Sequence, residues 1–80
     1  MLSDGVAKDY EVALKWFERG ASQGSARSFY GLGIMHLHGY GGVQKDKTKA
    51  MRYFQQGAEK DLPESQAAYA ELLLGKYIIM

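Results

Sequence analysis

An ungapped internal repeat constrains this chain more than any other feature. The stretch Val6-Ala7-Lys8-Asp9 through Ala21 lies over Val43-Gln44-Lys45-Asp46 through Ala58 at a constant offset of 37 residues. It matches Val6 to Val43, Lys8-Asp9 to Lys45-Asp46, Ala13 to Ala50, Trp16-Phe17 to Tyr53-Phe54 and Gly20-Ala21 to Gly57-Ala58. A fixed period of this length means one supersecondary unit used more than once, each unit burying its apolar face on a neighbour. Ala13, Trp16, Phe17, Gly20 and Ala21 fall at i, i+3, i+4, i+7 and i+8, and Ala50, Tyr53, Phe54, Gly57 and Ala58 repeat that spacing. Each segment therefore predicts an amphipathic helix. Asp9 and Asp46 stand where N-cap acceptors belong, which puts the helix starts near residues 9 and 46.

Between these segments Phe29, Leu32, Gly33 and His36 again lie three and four apart, the mark of a second type of helix. Gly39-Tyr40-Gly41-Gly42 ends it, because glycine tolerates the positive φ of a helix C-cap and tight loop. Pro63, with Glu64 beside it, suits the first turn of a fourth helix. Leu62-Pro63-Glu64-Ser65-Gln66 reads as an enlarged turn, so the fourth helix aligns with the second at an offset of 41 or 42 residues. The offset of 41 is preferred, since 42 puts Glu71 at the core position of Phe29.

The expected fold is all-α, an α–α superhelix with four helices near residues 9–22, 24–38, 46–60 and 63–78 in about two antiparallel pairs. Trp16, Phe17, Leu32, Ala50, Tyr53, Phe54 and Leu73 are its expected core. In repeat terms, residues 5–23 are the second half of one unit, 24–60 a complete unit and 61–80 the first half of a third.

Ten basic and nine acidic residues give a net charge of +1, and no window holds the sustained basic run that phosphate binding needs. Neither nucleic acid nor an anionic membrane is implied. The most apolar stretch, Leu72 to Met80, is interrupted by Lys76 and falls far short of the ~20 residues of a membrane helix. Met1-Leu2-Ser3-Asp4-Gly5 lacks the charged-then-apolar pattern of a signal peptide. With no cysteine there are no disulfides and no thiolate sites, while the compartment stays open.

The residues resemble the Sel-1-like repeats, helix–turn–helix units related to tetratricopeptide repeats. That family's pattern is an alanine, Leu-Gly, an aromatic, a glycine-rich loop ending in valine, an acidic residue, Lys-Ala, an aromatic pair and a small-residue pair. Ala26, Leu32-Gly33, Gly39, Gly42-Val43, Asp46, Lys49-Ala50, Tyr53-Phe54 and Gly57-Ala58 match it over one complete repeat. Three departures stand out: His36 replaces the usual aromatic, Gly41-Gly42 lengthens the loop, and Gly20 and Gly57 stand where alanine is commoner. The resemblance implies a right-handed superhelix whose first helices line a concave wall that holds proteins or peptides. Carried onto this chain, it puts Arg27, Tyr30, Ile34, Leu37 and His38 on that wall. It implies no cofactor.

No catalytic constellation competes with this reading. His36 and His38, two apart on a helix, point roughly 200° from each other and cannot share one metal ion. Gly31-Leu32-Gly33 and Gly39-Tyr40-Gly41-Gly42 neither follow a strand nor complete a nucleotide fingerprint. Ser3, Ser25, Ser28 and Ser65 lack a nucleophile elbow. The stripe assigns Trp16, Phe17, Tyr53 and Phe54 to the core rather than to a peptide box, whereas Tyr30 and Tyr40 are required by no stripe and suit ligand contact. The leading expectation is thus a scaffold for protein or peptide partners, with a hydrolase of unrecognised type as a remote foil. The other reading is structural: Ile78, Ile79 and Met80 are the reverse of a polar cap, so the C-terminal helix is expected to mediate a homodimer.

Overall fold

The computed structural model describes the backbone of residues 2–75 and the side chains from Asp9 onward. It runs α1 (Leu2–Ser22), α2 (Ala26–His38), a 3-10 turn (Tyr40–Gly42), α3 (Lys47–Glu59) and α4 (Pro63–Leu74), with no strand among the described residues. The punctuation follows local chemistry. Asp46 caps α3, its carboxylate accepting from the Lys49 N–H at 3.1 Å, and the Ser25 hydroxyl accepts from the Ser28 N–H to cap α2. Gly39, at φ 76°, closes α2 by donating its N–H to the Met35 carbonyl at 2.8 Å. Gly75, at φ 77°, does the same for α4, so that helix ends at Leu74 and not near residue 78.

Asp9 does not cap α1, which begins at Leu2. Ahead of Asp46 the backbone is broken by Gly39, Gly41 and Gly42, all at positive φ. Ahead of Asp9 the only glycine is Gly5, which lies within α1, and the helical ladder runs on through the aspartate.

The turn into α4 is not enlarged. Residues 23–25 join α1 to α2 and residues 60–62 join α3 to α4, and their backbone hydrogen bonds correspond one to one. Ser25 N–H donates to the Gly20 carbonyl at 3.0 Å, Leu62 N–H to that of Gly57 at 3.3 Å; Gly24 and Asp61 each donate, at 2.9 Å, to Ala21 and Ala58. Gly24 takes φ 83° and Asp61, a residue type that tolerates the left-handed region, takes φ 68°. The repeat offset of 37 therefore continues through α4, and both 41 and 42 are wrong. At each crossing a serine faces a glycine: a Cβ on Gly20 would run into Ser28, and one on Gly57 into Ser65. The buried Ser65 hydroxyl donates to the Phe54 carbonyl at 2.7 Å.

Two residues of the expected core, Leu73 and Trp16, are exposed. Leu73 is 58% exposed, because offset 37 makes it the counterpart of His36, which needs α3 on top of it; the buried residue is Leu72, the counterpart of Met35. Trp16 is 63% exposed, carrying only the Arg19 guanidinium 5.5 Å from its ring. Its counterpart Tyr53 is half-buried because α2 lies against it, and no described helix precedes α1 to do likewise. Phe17 is also only half-buried, whereas Leu32, Ala50 and Phe54 are fully buried as expected. Phe54 and Ala50 form the core with Leu37 and Leu72, flanked by Tyr30, Ile34 and Ala68.

Helix α2 is the shared wall of the two units. Gly31 admits the Phe17 ring of α1, where a Cβ would stand 2.7 Å from three ring carbons, and Gly33 admits the Phe54 ring of α3. Two residues apart, these glycines open opposite sides of one helix.

Candidate protein-binding groove

Helices α1 and α2 and the 3-10 turn enclose an open groove of about 540 Å³. Its floor is Ala13 and Phe17 from α1; its α2 wall is Arg27, Tyr30, Gly31, Ile34 and Met35; Tyr10 and Tyr40 close one end. Tyr40 is held there by ring stacking, 4.3 Å from Tyr10 at an interplanar angle of 8°, and 5.1 Å from His38 on its other contact. Gly41 permits this approach: at φ 72° it packs so closely on α1 that a Cβ would stand 2.9 Å from the Tyr10 carbonyl oxygen. The exposed Arg27 guanidinium sits at the rim, 3.7 Å from the Glu64 carboxylate of α4. Such an exposed pair contributes little to stability, but it fixes a charge of known sign beside an apolar wall. A depression of about 480 Å³ along Lys49, Arg52 and Gln56 is formed by α3 alone and has no opposing wall.

Of the five residues expected on the concave wall, Arg27, Tyr30 and Ile34 line the groove. Leu37 does not: it is buried between Ala50, Phe54 and Leu72, because on a helix covered by α3 that position faces inward. His38 is half-buried beside Tyr40 at the groove's end. Ile78, Ile79 and Met80 lie outside the described residues. Tyr10, Phe17 and Met35 were not foreseen as lining; Tyr10 was legible as an aromatic where its counterpart at offset 37 is Lys47.

His36 fills the aromatic slot, its ring 5.3 Å from Tyr53. Its Nδ1 is buried without a hydrogen-bond partner among the described residues. Burial holds its pKa below the ordinary 6.5, and the Lys49 ammonium pushes the same way against the weaker pull of Asp46 and Glu18. The described residues contain no group of three or more His, Asp or Glu able to hold a metal ion, and no helix long and apolar enough to cross a membrane.

Residues 1–25 and 27–62 match the family model described as Sel1 repeat. The chain belongs to the Sel1 repeat family. Sel1 repeats are helical solenoid units, and the family is associated with protein–protein interaction. Over 52 residues this Sel1 repeat chain is 38% identical to a Sel1-like repeat-containing protein of Schizosaccharomyces pombe, covering 65% of the chain and 8% of that protein. Over 59 residues it is 36% identical to HRD3B of Arabidopsis thaliana, an ERAD-associated E3 ubiquitin-protein ligase component, covering 74% of the chain and 9% of that protein. The chain thus spans under a tenth of the length of either relative. No solved structure matches it at a significant level.

Proposed function

We propose that this chain is a scaffold segment that holds a protein or peptide in the groove between α1 and α2 and performs no chemistry of its own. Residues 24–60 act as one complete repeat, flanked by the second half of a preceding unit at 5–23 and the first half of a following one at 61–80. The observation that carries the reading is the groove's make-up. Aromatic and aliphatic side chains with a single cation at the rim are what a protein surface offers a partner segment, and tyrosine and arginine are the side chains most often found at binding hot spots. Membership of an interaction family supports it independently.

A displayed peptide library selected on the immobilised chain tests the reading. Affinities of the selected peptides are measured by fluorescence anisotropy against the unmodified chain, Arg27→Glu and Tyr40→Ala, each checked for helicity by circular dichroism. Loss of about tenfold or more in both folded variants is the expected result. Peptides that bind all three forms equally would place the binding surface elsewhere.

A further inference from the structure

We infer that the outer face of α3 is a second docking surface, separate from the groove, and that its occupant is an acidic segment of a partner protein lying across Lys49 and Arg52. The internal repeat supplies the control. Segments 9–22 and 46–59 keep the same small and aromatic residues along their packing stripe, so exposed positions that differ between them are not dictated by the fold. In 9–22 Lys15 and Arg19 stand against Asp9, Glu11 and Glu18, a net charge of −1; in 46–59 Lys47, Lys49 and Arg52 stand against Asp46 and Glu59, a net charge of +1. The change falls on exposed positions: Val12 gives way to Lys49, and Glu11 and Glu18 give way to Thr48 and Gln55.

Helix formation does not ask for these cations. The first turn of α3 holds no acidic residue, and Lys47 and Lys49 stand there instead, at the positive end of the helix dipole. The Asp46 carboxylate is engaged by the Lys49 N–H. Neither Lys49 nor Arg52 forms an ion pair among the described residues, where Arg27 and Glu64 do.

Lys49, Arg52 and Gln56 fall at i, i+3 and i+7, a single stripe along α3. Lys49 and Arg52 line both depressions on this helix, the one of about 480 Å³ running on to Gln55, Gln56 and Glu59 and another of about 270 Å³ running back to Asp46 and Thr48. From Asp46 to Glu59 the axis is about 20 Å long, with a carboxylate at each end and the cations between, a match for a few carboxylates on a short segment. Nor is the face open for want of a neighbouring unit. Helices α1 and α3, of the same type in consecutive units, do not pack on each other, so a further helix placed on α3 as α3 stands to α1 leaves this face uncovered.

An acidic protein segment fits better than other anions. Asp46 and Glu59 bracket the cations and repel a phosphate backbone, which needs a longer basic run. None of the exposed large apolar residues lies on α3, so nothing there anchors the face in a bilayer. The Gln55 and Gln56 amides add donors for carboxylate and main-chain oxygens.

The test is a nuclear magnetic resonance titration of the isotope-labelled 80-residue chain with a synthetic peptide of alternating glutamate and serine. Its glutamine analogue, an oligothymidylate and vesicles containing phosphatidylserine are the comparisons. Amide shifts centred on Lys49, Arg52 and Gln56 are expected with the glutamate peptide, weakening as salt screens the charges. Lys49→Glu with Arg52→Glu should lower the affinity about tenfold or more, whereas Lys15→Glu with Arg19→Glu on α1 should change it less than about twofold. All four positions are exposed, and Lys49→Glu puts a carboxylate in the first turn, so Tm should be unchanged or higher while binding is lost, which separates docking from folding. No shift on α3 up to about millimolar peptide overturns the inference, as does an equal loss in the α1 variant. Tighter binding of the oligonucleotide or the vesicles than of the glutamate peptide overturns it as well.

Discussion

Gly33→Ala sets two effects of opposite sign against each other at one atom. In an unhindered helix interior the substitution stabilises by about 1 kcal/mol, since glycine's backbone freedom is lost on folding. Here the new Cβ would meet the Phe54 ring, standing 2.6 Å from Cδ1 and 2.9 Å from Cζ, with Cε1 closer still. Carbon atoms in good contact lie about 3.5–4.0 Å apart, so the ring must retreat by roughly 1 Å. It has nowhere to go: Phe54 is wholly buried, bounded by Leu37, Ala50 and Leu72 and by the Tyr30 ring at 5.6 Å. Overpacking of an enclosed site costs about 1–3 kcal/mol, and full enclosure argues for the upper half of that range. The expected net loss is about 1–2 kcal/mol, or very roughly 5–15 °C in Tm for a domain of this size. Urea titration followed by circular dichroism measures it, with Phe54→Leu in the same background expected to recover part of the loss. Gly31→Ala is the control, because Phe17 can swing into the open groove, and it should lie within about 0.5 kcal/mol of the unmodified chain. If Gly33→Ala instead raises stability by about 1 kcal/mol, the α2–α3 contact is looser than described and the reasoning fails.

Three further outcomes follow from the same geometry. Phe54→Ala should cost about 3–5 kcal/mol, comparable with the whole stability of a domain this small, and should abolish the cooperative transition. Asp46→Ala should cost about 1 kcal/mol through loss of the α3 cap, while Asp9→Ala, lying inside α1, should not, a contrast read directly from paired urea titrations. His36 should give a pH dependence: its folded pKa is lowered, so the unfolded chain binds the proton more readily, and stability is full above the unfolded value of 6.5 and falls as pH drops through it, flattening below the folded pKa. Equilibrium unfolding from pH 8 down to about 5 should show that fall, and His36→Phe should remove it.

The division between what the sequence determines and what the fold decides runs through the repeat itself. Stripe, cap and terminator signals are local, so the helices and their type, the Asp46 cap, the Gly39 and Pro63 boundaries and the burial of Leu32, Ala50 and Phe54 were all legible. Arg27, Tyr30 and Ile34, put on a concave wall by the family resemblance and not by periodicity, line the groove between α1 and α2. What periodicity cannot supply is the neighbour. Trp16 and Tyr53 hold one stripe position, yet only Tyr53 has a helix laid against it; Leu73 and His36 share a position, yet only His36 is covered. Apolar residues with no described helix laid across them thus lack the burial that their pattern announces. The register of α4 failed for a related reason. Aligning Leu73 with Leu32 assumes that apolarity marks the core, whereas the register is set by the turn, where Asp61 takes the left-handed conformation of Gly24 and Ser65 takes the place of Ser28 against a glycine. The start of α1 depends equally on context: an aspartate caps a helix only where the chain before it has left the helical conformation, and seven helical residues precede Asp9. A sequence writes the unit and its period; which faces of that unit are closed is decided when a second helix is, or is not, laid across them.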